Sequence, residues 1–407
     1  MIKKIELNPI EDVLQLVRES FHASPKLCEK VPLEEAFGRV LKDPLISHET
    51  VPDFVKSTVD GYAVKYCDAP RTLKLIGKVE MGNPSALTVG DDTCVYVPTG
   101  GMLPINSDAL TMVKIEHCEV VETESGTFVT LKEAAPNRDN IIERGSDMEI
   151  GKMVLPSGTV LGVHEIGALA SLGHYQVDVL KKPTVAIIST GDELVHSSNP
   201  LSLGQIREIN TYTLAANCQN HGLKVIQKYL LKDQYELIKE KLTEAVNTAD
   251  IVLISGGSSV GEKDYTQAIL DEVCDEGVLL AGMAIKPGKP TIIAKHGHVA
   301  VFGLPGHPVS SIVVFELLTR ALLKTWGYKV VEPRETEVIL TKNIYADKGR
   351  DTYQMVKIIE EDGKRVAKPT SGKSGMITLL TQSNGYVIIP KEKGMYESGD
   401  VVKAYYF

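Results

Sequence analysis

Residues 249–265 read Ala-Asp-Ile-Val-Leu-Ile-Ser-Gly-Gly-Ser-Ser-Val-Gly-Glu-Lys-Asp-Tyr, and this stretch decides the fold. Ile251 to Ile254 form a continuous apolar run. A short run without polar alternation reads as a strand buried on both faces, the parallel-sheet case. Ser255 to Gly261 then bring three glycines and three serines, and Asp264 opens an amphipathic helix with Ile269, Leu270 and Val273 on one face. A buried strand that ends in glycines and turns into a helix makes an anion site, because glycine admits close approach and free N–H groups point at the ligand. Gly256 and Gly261 have P-loop spacing, but Glu262 stands where that motif needs lysine, and no G-x-G-x-x-G is present. Two readings stay open on the glycines alone: a plain strand-to-helix turn, or an anion pocket. Asp264 beside such a pocket points to a metal ion between carboxylate and anion. An N-cap aspartate has the same signature.

Outward from this stretch, residues 183–327 alternate strands and helices. Strands are expected at 184–190, 224–231, 250–255, 278–281, 291–295 and 299–304. Helices fit 211–221, 234–247, 264–274 and 308–325. This is a doubly wound α/β domain, whose ligands bind outside the carboxyl ends of the strands. Three more loops fall at those ends: Ser189-Thr190-Gly191-Asp192-Glu193-Leu194, Ile285-Lys286-Pro287-Gly288-Lys289-Pro290 and Phe302-Gly303-Leu304-Pro305-Gly306-His307-Pro308. Each alone reads as structural. Together they put carboxylates, glycines and two lysines on one sheet edge, which suits an anionic, phosphorylated ligand with a divalent cation.

The flanks read differently. Residues 8–22 start a helix, with Asn8 as N-cap, Pro9 at the first helical position and Glu11 closing a capping box. A short helix is expected from Leu33 to Leu41. Asp60-Gly61 before Tyr-Ala-Val is a turn signal leading into a strand, and its plain reading is a hairpin turn. Residues 72–132 are β-rich, with short runs separated by Gly, Pro, Asn and Asp. Within them Thr99 in Val-Pro-Thr-Gly-Gly offers a hydroxyl and backbone donors to a ligand, though such segments are more often only loops. Residues 163–172 are helical with Gly173 as C-cap, and after Pro333 short strands build a small β-barrel or sandwich.

The chain has 407 residues, too many for one core. Its net charge of -9 argues against a nucleic-acid surface. The six cysteines form no C-x-x-C and pair with no histidine at metal spacing, which reads as thiols in a reducing compartment. No signal peptide and no run long enough to span a bilayer is visible, so a cytoplasmic protein without membrane contact is expected. No Ser-His-Asp or Cys-His arrangement declares itself.

Five motifs occur in order: Ser-Thr-Val-Asp-Gly-Tyr-Ala-Val, Ser-Thr-Gly-Asp-Glu-Leu, Ser-Gly-Gly-Ser-Ser-Val-Gly-Glu-Lys-Asp-Tyr, Ile-Lys-Pro-Gly-Lys-Pro and Gly-Leu-Pro-Gly-His-Pro-Val-Ser-Ser. The set resembles the molybdopterin molybdenumtransferase family, which includes the carboxyl-terminal domain of gephyrin. The resemblance covers nearly the whole chain and is most specific in the α/β domain. It implies a multidomain α/β protein: a discontinuous N-terminal domain (1–47 plus 141–178), a β-rich insertion (48–140), a doubly wound molybdopterin-binding domain (179–328) and a small C-terminal β-barrel (329–407). It implies a homodimer, contact with the molybdopterin adenylyltransferase and with cofactor-accepting enzymes, and a reaction on adenylylated molybdopterin and molybdate that releases AMP with Mg²⁺. Cleaving a phosphoanhydride needs charge neutralisation and positioning more than a covalent nucleophile. Carried over by position, Asp60, Asp147, Glu193 and Asp264 are the catalytic acids, and Asp60, Asp192 and Asp264 hold the cation. Thr99, Asp233, Gly256, Gly257, Ser258, Lys286, Lys289, Arg350 and Ser374 bind substrate.

The sequence departs from the family pattern at Gly282, where many members carry lysine, so one anion contact is absent or supplied elsewhere. His307 stands for the usual Asn, Glu208 for the usual Asp before Asn210, and Thr58-Val59 for the common Ala-Met. Two other readings remain: a phosphoanhydride hydrolase of the competence-damage-protein type on the same module, and a scaffold that binds molybdopterin or peptides without turnover.

Overall fold

The computed structural model describes residues 7–22, 27–256 and 263–407. It divides into two compact units, residues 1–29 with 180–407, and residues 30–179.

In the larger unit a six-stranded sheet has the order Lys224–Leu231, Thr184–Thr190, Ile251–Ser255, Val299–Leu304, Ile292–His296, Val278–Ala281. The first four strands are parallel, and the last two run antiparallel to their neighbours. Only Gly297 and His298 separate Ile292–His296 from Val299–Leu304, too little chain for a crossover, so those two form a hairpin. All five residues of Ile251–Ser255 are buried, as its unbroken apolar run requires. Helices Ile10–Ser20, Asn210–Asn220 and Pro308–Thr325 pack on one face, and Tyr235–Val246 and Lys263–Val273 on the other. The sheet is doubly wound.

Ile10, Val13 and Val17 share the buried side of the first helix, and Phe21 follows them into the core. Trp326, at the end of Pro308–Thr325, donates its indole N–H to the Phe21 carbonyl at 2.9 Å and locks the two helix ends together. The expected capping box is absent: Pro9 is the N-cap and no side chain caps the helix. Asn8 instead donates its amide to the Gly282 carbonyl at 3.0 Å, so tertiary contact takes the side chain that local pattern assigned to the helix.

The last strands close a barrel. Glu335–Leu340, Asp351–Glu361, Lys364–Pro369, Gly385–Ile389 and Val401–Tyr406 form it, and closure comes from Asp351–Glu361 pairing with both Lys364–Pro369 and Gly385–Ile389. Val338, Leu340, Val356, Ile358, Val387, Ile389 and Val402 fill it at alternate positions. The short strand Ile285–Lys286 adds to Asp351–Glu361 in parallel, with Lys286 opposite Thr352.

The smaller unit holds a six-stranded sheet in the order Leu110–Lys114, Gly61–Lys65, Thr93–Val97, Thr72–Lys78, Gly126–Leu131, Cys118–Thr123. Gly61 opens a strand between Thr93–Val97 and Leu110–Lys114, so Asp60-Gly61 is not a hairpin turn. A Cβ at Gly61 would run into the Val113 carbonyl, which is why glycine stands there. The helix Val163–Ser171 ends as expected: Gly173 has φ +74° and His174 N–H reaches back to Leu169 O at 3.0 Å. The helix expected from Leu33 to Leu41 shrinks to a single 3₁₀ turn, Leu33–Glu35. Val40 and Leu41 instead pair in extended form with Val160 and Val179.

Candidate functional site

The strand order reverses between Thr184–Thr190 and Ile251–Ser255, which puts a crevice at their carboxyl ends. Gly256 sits there at φ +120°, and a Cβ would run into the Thr190 carbonyl. A buried polar cluster ties three strand ends together. Asn210 donates its amide to Ser255 Oγ and to Gly306 O, both at 2.7 Å. Glu208, 4% exposed, accepts from Ser189 Oγ at 2.9 Å and from Thr211 N–H at 2.6 Å. Its longer side chain therefore serves the start of helix Asn210–Asn220.

Nearby, Asp192 and Asp233 clasp each other's backbones. Asp192 N–H donates to Asp233 Oδ2 and Asp233 N–H to Asp192 Oδ1, each at 3.3 Å. Lys232 Nζ donates to the Asp192 and Leu194 carbonyls. Glu193 is exposed, its carboxylate folded towards Gly191. Gly257 and Ser258 lie outside the described residues, as does the Asp264 side chain, although Asp264 falls within helix Lys263–Val273. Among the described residues no three His, Cys, Asp or Glu side chains are grouped to hold a metal.

A second feature of the larger unit is a cavity of about 1020 Å³ between the helix Pro308–Thr325 and the barrel. Lys286, Lys289, Arg350 and Ser374, drawn from two sequence-distant regions, all line it. So do Lys342, Lys373 and His307. The lining thus carries five basic side chains, four lysines and one arginine, and no carboxylate is among its residues. His307 Nδ1 lies 2.9 Å from Ser374 Oγ, and Val309 N–H donates to Ser374 O at 3.1 Å, so the loop carrying Ser374 is clipped to the start of the helix. Asp347 stands behind the lining. Its Oδ2 takes Lys286 Nζ at 3.2 Å and Arg350 Nη2 at 2.7 Å. Partial burial pushes the Asp347 carboxyl up, but the two cations outweigh it and hold it below the usual carboxylate range.

Lys342 and Lys373 were not among the residues the sequence singled out. Lys373 had a signal, since it sits in Thr370-Ser371-Gly372-Lys373-Ser374, a hydroxyl- and glycine-rich run. Lys342 had none beyond a turn.

In the smaller unit Asp60 accepts the Thr99 backbone N–H at 2.8 Å. The Gly100 and Gly101 N–H groups go to Ser57 O and Pro98 O, both at 2.8 Å. Internal bonds therefore use the backbone donors expected to serve a ligand at this loop. Asp147 is exposed, its N–H bonded to Val51 O at 3.1 Å. No hydrogen bond or ion pair joins it to Asp60 or Thr99 among the described residues.

A doubly wound module with a crevice of glycines and carboxylates, followed by a closed barrel and a cationic cavity, defines a multidomain α/β protein. Three family models match it in succession: the MoeA N-terminal region (domains I and II) over residues 8–173, a probable molybdopterin binding domain over 186–325, and the MoeA C-terminal region (domain IV) over 337–407. The molybdopterin molybdenumtransferase of Haemophilus influenzae is 34% identical across 93% of this chain and 93% of its own length. That of Bacillus subtilis is 30% identical across 92% and 89%. The crystal structure of the molybdopterin biosynthesis MoeA protein of Pyrococcus horikoshii superposes with a TM-score of 0.82 at 32% identity, covering 98% of this chain and 99% of that one. The chain belongs to the molybdopterin molybdenumtransferase family. It is a transferase of molybdenum cofactor biosynthesis that acts on molybdopterin.

Proposed function

We propose that the chain takes adenylylated molybdopterin and molybdate, releases AMP, and places molybdenum on the dithiolene. The observation that carries this reading is the cavity lining, with five cations and no carboxylate. An oxyanion or phosphate is the ligand such a lining fits, since charge-assisted hydrogen bonds to Lys and Arg are among the strongest available. Lys286, Lys289, Arg350 and Ser374 bind the oxyanion or phosphate oxygens, with Lys342 and Lys373 adding charge. Gly256, Gly257, Ser258 and Asp233 hold the molybdopterin adenylate at the sheet crevice.

By their positions in the family motifs, Asp60, Asp192 and Asp264 would be the carboxylates for Mg²⁺. Their hard carboxylate oxygens are the donors this ion prefers. The ion supplies charge neutralisation at the phosphoanhydride. The resemblance gives catalytic roles to Glu193 and Asp264 in the larger unit and to Asp60 and Asp147 in the smaller one, where Thr99 offers its hydroxyl to substrate. The enzyme works as a cytoplasmic homodimer that receives its substrate from the molybdopterin adenylyltransferase and passes its product to cofactor-accepting enzymes.

The test is AMP release from adenylylated molybdopterin by the purified protein with Mg²⁺, with and without molybdate. Release that needs both, with molybdenum recovered in the pterin, is expected. Tight binding without release would replace this reading with a non-catalytic scaffold.

A further inference from the structure

Five cations line the cavity, yet among the described residues only one carboxylate comes within ion-pair distance of any of them. That group is Asp347, and it is not part of the lining. It opens the turn Asp347-Lys348-Gly349-Arg350, in which Arg350 N–H donates to Asp347 O at 3.0 Å. Its own N–H donates to Thr352 Oγ1 at 2.9 Å, and Thr352 pairs with Lys286 across the two strands. The backbone thus fixes Asp347 between one cation from the α/β part and one from the barrel. Lys289, Lys342 and Lys373 have no such partner among the described residues.

We propose that Asp347 is a specificity-determining positioning residue, an internal counter-ion that sets how strongly the cavity grips an anion and how steeply that grip depends on the anion's charge. The proposal rests on the oxyanion reading of the cavity. A fixed negative charge behind Lys286 and Arg350 repels any anion that these two cations attract. By Coulomb's law the repulsion scales with the charge of the ligand. Asp347 therefore moderates dianions more than monoanions of the same shape. It keeps a doubly charged oxyanion exchangeable.

The experiment compares two tetrahedral oxyanions, molybdate (charge two) and perrhenate (charge one), by calorimetric titration of the full chain at neutral pH and low salt. Asp347→Asn keeps the side chain's size and removes its charge. Asp347→Ser makes the same charge change without an amide, and thermal melts confirm that both variants fold. Molybdate binding should tighten about tenfold in both variants and perrhenate about threefold, the square root expected for half the charge. Added salt should shrink both gains. A merely structural role, in which the turn loosens, would weaken both anions alike. Equal shifts for the two anions, or weaker binding in both variants, overturn the assignment while leaving the cavity an anion site. If the wild-type protein binds no molybdate, the oxyanion reading fails and this inference fails with it.

Discussion

Helix Pro308–Thr325 borders the cationic cavity at its first residues, and further along the same helix Glu316 and Arg320 close a charge cluster with His221. The second region is balanced. His221 Nε2 lies 3.1 Å from both Glu316 carboxylate oxygens, and Arg320 Nη2 is 3.1 Å from one of them. The His221 side chain is 4% exposed. Burial pushes the Glu316 carboxyl up, but His221 and Arg320 more than compensate and hold it below its usual range. The cavity is unbalanced: Lys289, Lys342 and Lys373 have no carboxylate partner among the described residues, and Lys342 and Lys373 are exposed. The difference shows where charge is tolerated unpaired. A buried ion must be matched, because its desolvation is costly. A wetted one is solvated while it waits for a ligand, so the excess of cations at the cavity is available for function.

If that contrast holds, the two regions should respond oppositely to loss of one group. The largest effect is expected at Glu316. Glu316→Ala leaves Arg320 without its carboxylate and should cost about 3 kcal/mol of folding stability in urea titration. Turnover per folded molecule should be kept. The pH dependence gives a second check. Because the folded Glu316 carboxyl sits below its unfolded value, its contribution is present above the ordinary glutamate value of about 4.3 and is lost as pH falls through the lower folded value. The gap in urea midpoint between wild type and Glu316→Gln should narrow on acidification. A gap that stays constant through the acid range removes Glu316 as its source.

Lys286→Gln should do the reverse. Molybdenum transfer should fall roughly a hundredfold, the scale seen when one preorganised charge-stabilising group is removed. The urea midpoint should hardly move, since exposed pairs such as Lys286–Asp347 are worth under about 1 kcal/mol. A large stability loss with turnover unchanged would reverse the roles assigned to the two regions.

Much of the α/β fold was legible because its signals are local. The run Ile251 to Ile254 has one reading at sheet level, and the expected strand at 184–190 matches Thr184–Thr190 residue for residue. Elsewhere pattern failed where long-range contact overrode it. Asn8 left its cap for Gly282, and the Leu33–Leu41 segment lost its helix to extended bridges at Val40 and Leu41. The site divides in the same way. Lys286 and Lys289 announced themselves as a pair around one turn. Lys342 and Lys373 face the same cavity only because Ile285–Lys286 joins the barrel strand Asp351–Glu361, a pairing that no local periodicity encodes.

The smallest expected effect concerns Gly282, where many family members carry lysine. Here the residue has φ +108°, donates its N–H to Thr291 O at 2.8 Å and accepts the Asn8 amide. A side chain in that backbone region costs roughly 1–2 kcal/mol. Glycine at this position therefore serves the backbone, and the cavity's charge comes from the lysines and arginine that line it. Gly282→Lys should lose about 1 kcal/mol in urea titration and gain no molybdenum transfer. Gly282→Ala carries the same strain without the charge and serves as the control. Faster transfer in the lysine variant than in both wild type and the alanine variant would mean that the cavity is short of one cation. The contrast between a neutralised cluster and a sufficient excess of charge would then have to be redrawn.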